Sequence, residues 1–467
     1  MTWAMVRRFV HWGAGAVLFF SLTQYMYNLV YEGDTGRMLE EVVRMFECFS
    51  NGHWTGWGGW LALLQQIPAL LMMCFGLTEN ESLFHGLAIL SLVSFALMHL
   101  WGWRSLVRSS ERLALLYVVV LLSGPLIWYG HSSFGEMLAA AVTLGFVVAC
   151  RESTSAWRIV LLCILVTISK DTAFPFAFML GLMACARVES AGGASRLVFP
   201  RWRLLSIATL SGVIIAALFN YMRFGVVFNR TYANPDYIVP TLSIQLDFFL
   251  GLWLAPNGGV LFFWPSFGVV MFLAGRSAFR DHTQSWKQAV PFVGTALALI
   301  GLTLGFAKWY APFGWTCWGP RLLLPWLPAA AYIFLAAYAS GIERRMLALL
   351  GASRVRATIV AAGFALTALP HFIATFRPET LGNFFFSTDD TCPRFAYFSD
   401  GVYYYKWMDH HMWTKGPVLL DTFRPRPNST PILLSLAYGI FIAGLLLRVN
   451  DARRELPGQE RSPVVPP

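Results

Sequence analysis

Charged side chains are scarce in this chain. Asp, Glu, Lys and Arg make up 13% of its 467 residues, whereas hydrophobic residues make up 57%. A water-soluble domain carries about 25% charged residues, so a soluble globular protein is excluded. Apolar runs such as 9–29, 83–101 and 113–128 approach the roughly 20 residues that a helix needs to cross a bilayer. The sequence therefore predicts a polytopic helical membrane protein.

The chain also lacks the cysteine and histidine spacings of a zinc or redox site. Its seven cysteines include no Cys-x-x-Cys pair. Cys48, Cys317 and Cys392 fall on the proposed outer side, where a disulfide is permitted, and which two would pair is left open. The adjacent His410 and His411 lack the i, i+4 spacing of a helical metal site. The residues specify no cofactor, and a divalent metal is left open.

The distribution of positive charge predicts how the chain is threaded. The formal net charge is +10, but Lys and Arg gather in the short loops of one side, which indicates positive-inside topology and not a nucleic-acid surface. Arg7 and Arg8 precede the first span and place the amino terminus in the cytoplasm. That first apolar run is too long for a cleavable signal. We expect an all-α fold of about twelve membrane helices, with loops and interfacial helices on the outer face.

The apolar stretch 56–77 is interpreted as a helix that lies in or dips into the outer interface. It contains Gln65, Gln66 and Pro68. A full crossing here would move the basic loop at 104–112 to the outer side, against the positive-inside rule. We therefore assign it to the first outer loop, 31–80, while a full span is left open.

Ionisable residues of the membrane part gather near the outer ends of the predicted helices, and the midplane is nearly bare of charge. This pattern predicts a site that faces outward at the membrane surface, where a lipid-linked substrate is the natural expectation. The residues are Glu32, Asp34, His53, His131, Glu136, Lys170, Asp171, Arg223, Lys308 and Arg321.

Asp34 is the favoured general base, because a suitably placed carboxylate can take a proton from an acceptor hydroxyl. The alternative is that Glu32 and Asp34 solvate a turn and cap the following helix. His131 and Glu136 are candidates for positioning substrate or holding a divalent cation. Glu136 alone would also suit a helix N-terminus, where the dipole favours a carboxylate.

Three cations are candidates for binding a phosphate at head-group level, namely Lys170, Arg223 and Arg321. Snorkelling to the interface is the alternative for each of them. Lys170 is followed directly by Asp171, and charges at such depth are expensive unless they are paired or functional.

Five stretches, in the same order along the chain, resemble the integral-membrane GT-C glycosyltransferases, especially bacterial relatives of protein O-mannosyltransferases and aminoarabinose transferases. One follows the first span and contains Asp34, and another has a Trp-Gly-Pro-Arg core at 318–321. The stretches are 33–37, 131–138, 220–225, 254–265 and 315–325.

The resemblance implies transfer of a sugar from a polyprenyl-phosphate donor to an acceptor at the outer, periplasmic or luminal, face. Whether the acceptor is a glycan, a lipid or a protein is left open. The resemblance implies inversion at the anomeric carbon, with Asp34 as the base and with Lys170 and Arg321 near the donor phosphate. Many relatives have an adjacent Asp-Glu pair where this chain has Glu32 two residues before Asp34. A bacterial cytoplasmic membrane is favoured over the endoplasmic reticulum.

The resemblance also divides the chain. Residues 1–340 would form the GT-C-like catalytic module. Residues 341–467 would supply the last spans, an outer loop at 376–430 that packs over the other loops, and a disordered cytoplasmic tail at 449–467.

Two other classes of function compete with a transferase. A transporter or flippase of a lipid-linked or small substrate would place ionisable residues near the midplane. Many transporters are also built from inverted repeats, and this sequence has no evident internal repeat. A membrane scaffold would tolerate loss of Asp34, Lys170 and Arg321 alike.

Overall fold

In a computed structural model the described residues are 33–59, 62–75, 80–130, 135–152, 155–170, 174–191, 194–230, 238–239, 241–280, 286–309, 318–351, 353–375, 412–413, 418–423 and 432–451. These ranges are built almost wholly of helices. In chain order they are α1 Gly33–Ser50, α2 Leu63–Cys74, α3 Asn80–Leu106, α4 Glu111–Leu122, α5 Leu126–Tyr129, α6 Glu136–Arg151, α7 Ala156–Thr167, α8 Phe174–Cys185, α9 Trp202–Phe224, α10 Leu242–Leu254, α11 Val260–Phe263, α12 Pro265–Arg280, α13 Val290–Ala307, α14 Leu327–Ala337, α15 Ala339–Gly351, α16 Arg354–Thr375, α17 Val418–Asp421 and α18 Ile432–Asp451.

Four helical segments of the described chain are long and apolar enough to cross a membrane, by length and composition. They are Gly86–Leu106, Trp202–Phe224, Trp286–Ala307 and Val355–Thr375. Shorter apolar helices are Ala156–Thr167, Phe174–Cys185, Leu242–Leu254, Leu327–Ala337 and Ser435–Arg448. The predicted all-α polytopic membrane fold is confirmed.

The core lies around α14, which packs against both α4 and α6. Nearly every residue of α6 is buried, and so is α14 from Leu327 to Leu335. By contrast α9, which packs against α7, exposes a stripe formed by Ile207, Leu210, Ile214 and Leu218. Helices that are apolar on both their packed and their exposed sides are typical of a bundle surrounded by lipid.

The predicted third span is interrupted, because α4 ends at Leu122 and the chain passes Pro125 before α5 begins. Proline has no N–H, so carbonyls at the end of α4 need other donors. Trp264 Nε1 donates to the Val120 carbonyl (2.6 Å), and the Tyr438 hydroxyl donates to that of Leu122 (2.5 Å). Side chains from the α11–α12 junction and from α18 thereby cap the break.

Two further elements differ from the sequence-based expectation. Strands β1 Arg187–Ala191 and β2 Ala194–Val198 form an antiparallel hairpin, the one sheet among the described residues. Pro325 and Pro328 do not lie in one continuous membrane span. The chain forms a short 3₁₀ turn, Arg321–Leu323, before α14 begins at Leu327. Pro328 falls in the first turn of α14, where a missing N–H costs no helical hydrogen bond.

Candidate functional site

A buried carboxylate joins two of the cations that the sequence singled out. Glu136 is fully buried. Its Oε1 lies 2.9 Å from Arg321 Nε and 3.4 Å from Lys170 Nζ. We call Glu136, Lys170 and Arg321 the cationic cluster, since two cations share one carboxylate. Three of the predicted site residues therefore meet in space although they are far apart in sequence.

Glu136 is the first residue of α6. The helix dipole favours a carboxylate at this position, so the structural role considered for Glu136 is compatible with its place in the cluster. The dipole does not explain full burial, because removing a carboxylate from water costs several kcal/mol. The ion pairs with Arg321 and Lys170 offset that cost.

A tight turn brings Arg321 into the cluster. Gly319 has a φ of +73°, in the left-handed region, and the Arg321 N–H donates to its carbonyl (2.9 Å). A Cβ at Gly319 would stand 2.6 Å from Cδ1 of Phe263. Both the backbone conformation and the close approach of Phe263 therefore require glycine here.

Trp318 anchors the same turn to α16. Its Nε1 donates to Nδ1 of His371 (2.8 Å), and both side chains are fully buried. The Phe263 ring packs edge-on against the Trp318 indole, with centroids 5.4 Å apart. Sequence reasoning missed His371, because a lone histidine in an apolar helix gives no signal of its partner.

Lys170 follows the end of α7, and its side chain is 15% exposed. The carbonyl of Ile168, two residues earlier, accepts from the N–H of Leu64 (3.1 Å) at the start of α2. The turn that carries Lys170 is therefore tied to α2 by a hydrogen bond between the two backbones.

Arg223 is fully buried, which excludes snorkelling to the interface. Its Nη2 donates to Oδ1 of Asn220 (2.9 Å), and its guanidinium lies 4.4 Å from the ring centroid of Phe224. Its carbonyl accepts from Gly58 N–H (3.0 Å). Arg223 is thus covered by the segment that connects α1 to α2.

Asp34 is the second residue of α1, which packs against α2 and α3. The predicted site residues Glu32, His131 and Asp171 lie outside the described residues. Of the cysteines considered for a disulfide, Cys48 is half-buried in α1, and Cys317 and Cys392 lie outside the described residues. Most of the outer loop 376–430 and of the tail 449–467 does so too. Within the described ranges no three His, Cys, Asp or Glu side chains cluster as metal ligands would.

No protein-family model matches the chain, and no curated protein matches it either. Two solved structures are similar to it over most of its length. One is ArnT from Cupriavidus metallidurans in the apo state, with 15% identity, a TM-score of 0.44 and coverage of 94% of this chain and 76% of that chain. The other is ArnT from Cupriavidus metallidurans bound to undecaprenyl phosphate, with 13% identity, a TM-score of 0.41 and coverage of 97% of this chain and 79% of that chain.

Proposed function

We propose that this integral membrane protein is a GT-C glycosyltransferase that moves a sugar from a polyprenyl-phosphate donor to an acceptor on the outer, periplasmic or luminal, side. The observation that carries the proposal is the cationic cluster. Lys170 and Arg321 converge on one buried carboxylate at helix ends that the charge pattern assigns to the outer face. Such a site suits a phosphate at head-group level.

Arg321 and Lys170 would bind the donor phosphate. The Glu136 carboxylate accepts a hydrogen bond from Nε of Arg321, and this contact fixes the plane of the guanidinium. A guanidinium oriented in this way can present its Nη groups to phosphate oxygens. When the bond from the sugar to the carrier phosphate breaks, the phosphate keeps the electron pair, and the two cations would stabilise that charge.

Asp34 would act as the general base. It would take the proton of the acceptor hydroxyl while the acceptor oxygen bonds to the anomeric carbon on the face opposite the departing phosphate, which inverts the configuration. Glu32, His131, Asp171 and Arg223 are proposed to bind substrate from their positions in the sequence. The acceptor would be a glycan, a lipid or a protein. The protein would reside in a bacterial cytoplasmic membrane.

The test is sugar transfer by purified protein in liposomes that contain a panel of polyprenyl-phosphate sugars. Wild type should release free polyprenyl phosphate and transfer labelled sugar, and Asp34→Asn should lower kcat by at least about 10²-fold, because the base is lost. Glu40→Gln is the matched control, since Glu40 is an exposed residue of the same helix and its loss should leave kcat unchanged.

Two results would count against the proposal. Equal transfer by wild type and Asp34→Asn would show that the base is misassigned. Movement of intact donor across the bilayer without release of carrier phosphate would indicate a flippase instead.

A further inference from the structure

A second buried carboxylate lies in α1, about two turns beyond Asp34. Glu41 is 1% exposed, and its Oε2 accepts from Nε2 of Gln66 (2.8 Å), which is 3% exposed in α2. The preceding residue, Glu40, has a side chain that is 66% exposed and pairs with Arg44 at the surface (3.3 Å). Two adjacent glutamates thus have opposite environments.

The Glu41 carboxylate also packs directly against the backbone of Gly59, which has a φ of +121°. A Cβ on Gly59 would stand 2.4 Å from Oε2 of Glu41. The same segment is seated on the end of α9, because Gly56 N–H donates to the Met222 carbonyl (2.9 Å) and Gly58 N–H to that of Arg223 (3.0 Å). Glu41 therefore contacts both the loop that covers Arg223 and helix α2.

Helix α2 continues the connection to the cationic cluster. Leu64, two residues before Gln66, is buried and donates its N–H to the carbonyl of Ile168 (3.1 Å). Ile168 lies two residues before Lys170, whose ammonium contacts Glu136 (3.4 Å). Three polar contacts, joined by two short stretches of backbone, thus connect α1 through Glu41 and α2 to the cluster.

We propose that Glu41 is a positioning residue that fixes α1, and with it Asp34, relative to the cationic cluster. This inference rests on the proposed function. Because Glu41 is buried, it does not meet the acceptor, and it acts through Gln66 and Gly59. A buried carboxylate that loses its hydrogen-bond partner is costly, so the contact selects one seating of α1. Group-transfer rates are sensitive to such seating, since a displacement of about 1 Å can cost about 10²-fold in rate.

An exchange of the two side chains tests this inference. Gln66→Glu sets two carboxylates against each other and should lower kcat by about 10- to 100-fold, with the donor KM within about twofold of wild type. The double variant Glu41→Gln/Gln66→Glu restores a carboxylate–amide pair and should recover most of the lost kcat. Glu40→Gln should change nothing. The acidic limb of the pH profile should stay in place in Glu41→Gln, because the base is still Asp34.

Amide hydrogen exchange of residues 33–50 in liposomes gives a readout that does not depend on catalysis. Exchange should accelerate in Gln66→Glu and return toward the wild-type rate in the double variant. If exchange responds in this way while wild type transfers no sugar, the role of Glu41 in fixing α1 stands and the proposed function fails. Normal exchange in Gln66→Glu overturns the inference whatever kcat does. Faster exchange with wild-type kcat, or a double variant as impaired as Gln66→Glu, overturns it as well.

Discussion

The carboxylate of Glu136 contacts both cations of the cluster, so its loss should affect the cluster more than the loss of either cation alone. It is fully buried, whereas the side chains of Arg321 and Lys170 are 8% and 15% exposed. Without Glu136, two like charges would face each other in a site with little access to water. The free enzyme and the phosphate-bound enzyme should therefore respond differently to its loss.

We predict that Glu136→Gln lowers the free energy of unfolding of the unliganded protein by about 3–5 kcal/mol, since it removes a buried negative charge that pairs with both Arg321 and Lys170. Polyprenyl phosphate should restore part of this loss, because its phosphate supplies negative charge. Thermal unfolding in detergent with and without the carrier measures both effects. Glu152→Gln is the control. Its partner Arg108 is 69% exposed, and such pairs contribute at most about 1 kcal/mol. Equal destabilisation by both variants would contradict the prediction.

Sequence reasoning at this scale identified which residues are candidates but not which of them meet. Glu136, Lys170 and Arg321 stand out because ionisable side chains beside membrane spans are rare. Their contact depends on how α6, α7 and the turn before α14 pack. Glu40 and Glu41 are chemically identical neighbours, so no local signal tells which faces inward until the seating of α1 on α2 is known.

Among the structural elements, the turn at 318–321 is held by several independent constraints. It combines a left-handed Gly319 with an indole that is hydrogen-bonded to α16, and it delivers Arg321 to Glu136. The sequence singled out this Trp-Gly-Pro-Arg stretch through its family resemblance. The packing of Phe263 against Gly319, which explains the glycine, depends on tertiary structure and leaves no mark in the local sequence.

We expect Gly319→Ala to raise the donor KM and to destabilise the protein by about 1–3 kcal/mol, since the new methyl group meets Phe263 and the left-handed backbone is strained. Gly363→Ala is the matched control, because a Cβ there meets nothing within 4 Å in the middle of α16 and alanine favours helix. Thermal unfolding and donor titrations measure both variants. A wild-type KM and stability for Gly319→Ala would show that the turn tolerates a side chain.

Helix α2 has 12 residues and is therefore about 18 Å long, against a hydrocarbon core of about 30 Å. This length favours an interfacial helix, as the charge pattern predicts. In a variant whose only cysteine is Cys74, which is exposed, a membrane-impermeant thiol reagent added to intact cells should label Cys74 from the outer side. A variant with its only cysteine at position 53, His53→Cys, should be labelled from the same side. Labelling of the two positions from opposite sides would mean that α2 crosses the membrane.

For the whole molecule, composition and charge were enough to predict the class of fold, because an apolar bundle with basic loops on one side has few alternatives in a bilayer. The irregular parts were not predictable in the same way. The interruption at Pro125 is stabilised by side chains from α18 and the α11–α12 junction, and the β1–β2 hairpin consists of two short strands of mixed composition. The interruption depends on contacts between segments that are distant in sequence. The hairpin depends on a strand pairing that no periodicity in the sequence indicates.

A carrier that binds only the folded protein must stabilise the whole chain. We predict that polyprenyl phosphate at about 100 times its Kd adds about 2.7 kcal/mol to the free energy of unfolding, while the polyprenyl alcohol of equal length adds much less because it lacks the phosphate. Lys170→Gln/Arg321→Gln should abolish the difference between the two lipids, and Arg356→Gln, at an exposed position in α16, should retain it. Unfolding monitored by intrinsic fluorescence gives the comparison. Equal stabilisation by both lipids would show that the phosphate is not recognised.

The hydrogen bond from Trp318 to His371 joins the two parts of the chain that the family resemblance predicts on either side of residue 340. The hydrogen bond from the Tyr438 hydroxyl to the Leu122 carbonyl, at the end of α4, joins the same two parts. A chimera that takes residues 1–340 from this protein and the remainder from a relative would therefore need a hydrogen-bond acceptor at position 371 and a donor at position 438. The specificity of such a hybrid would depend on the compatibility of its two halves as much as on the source of its catalytic residues.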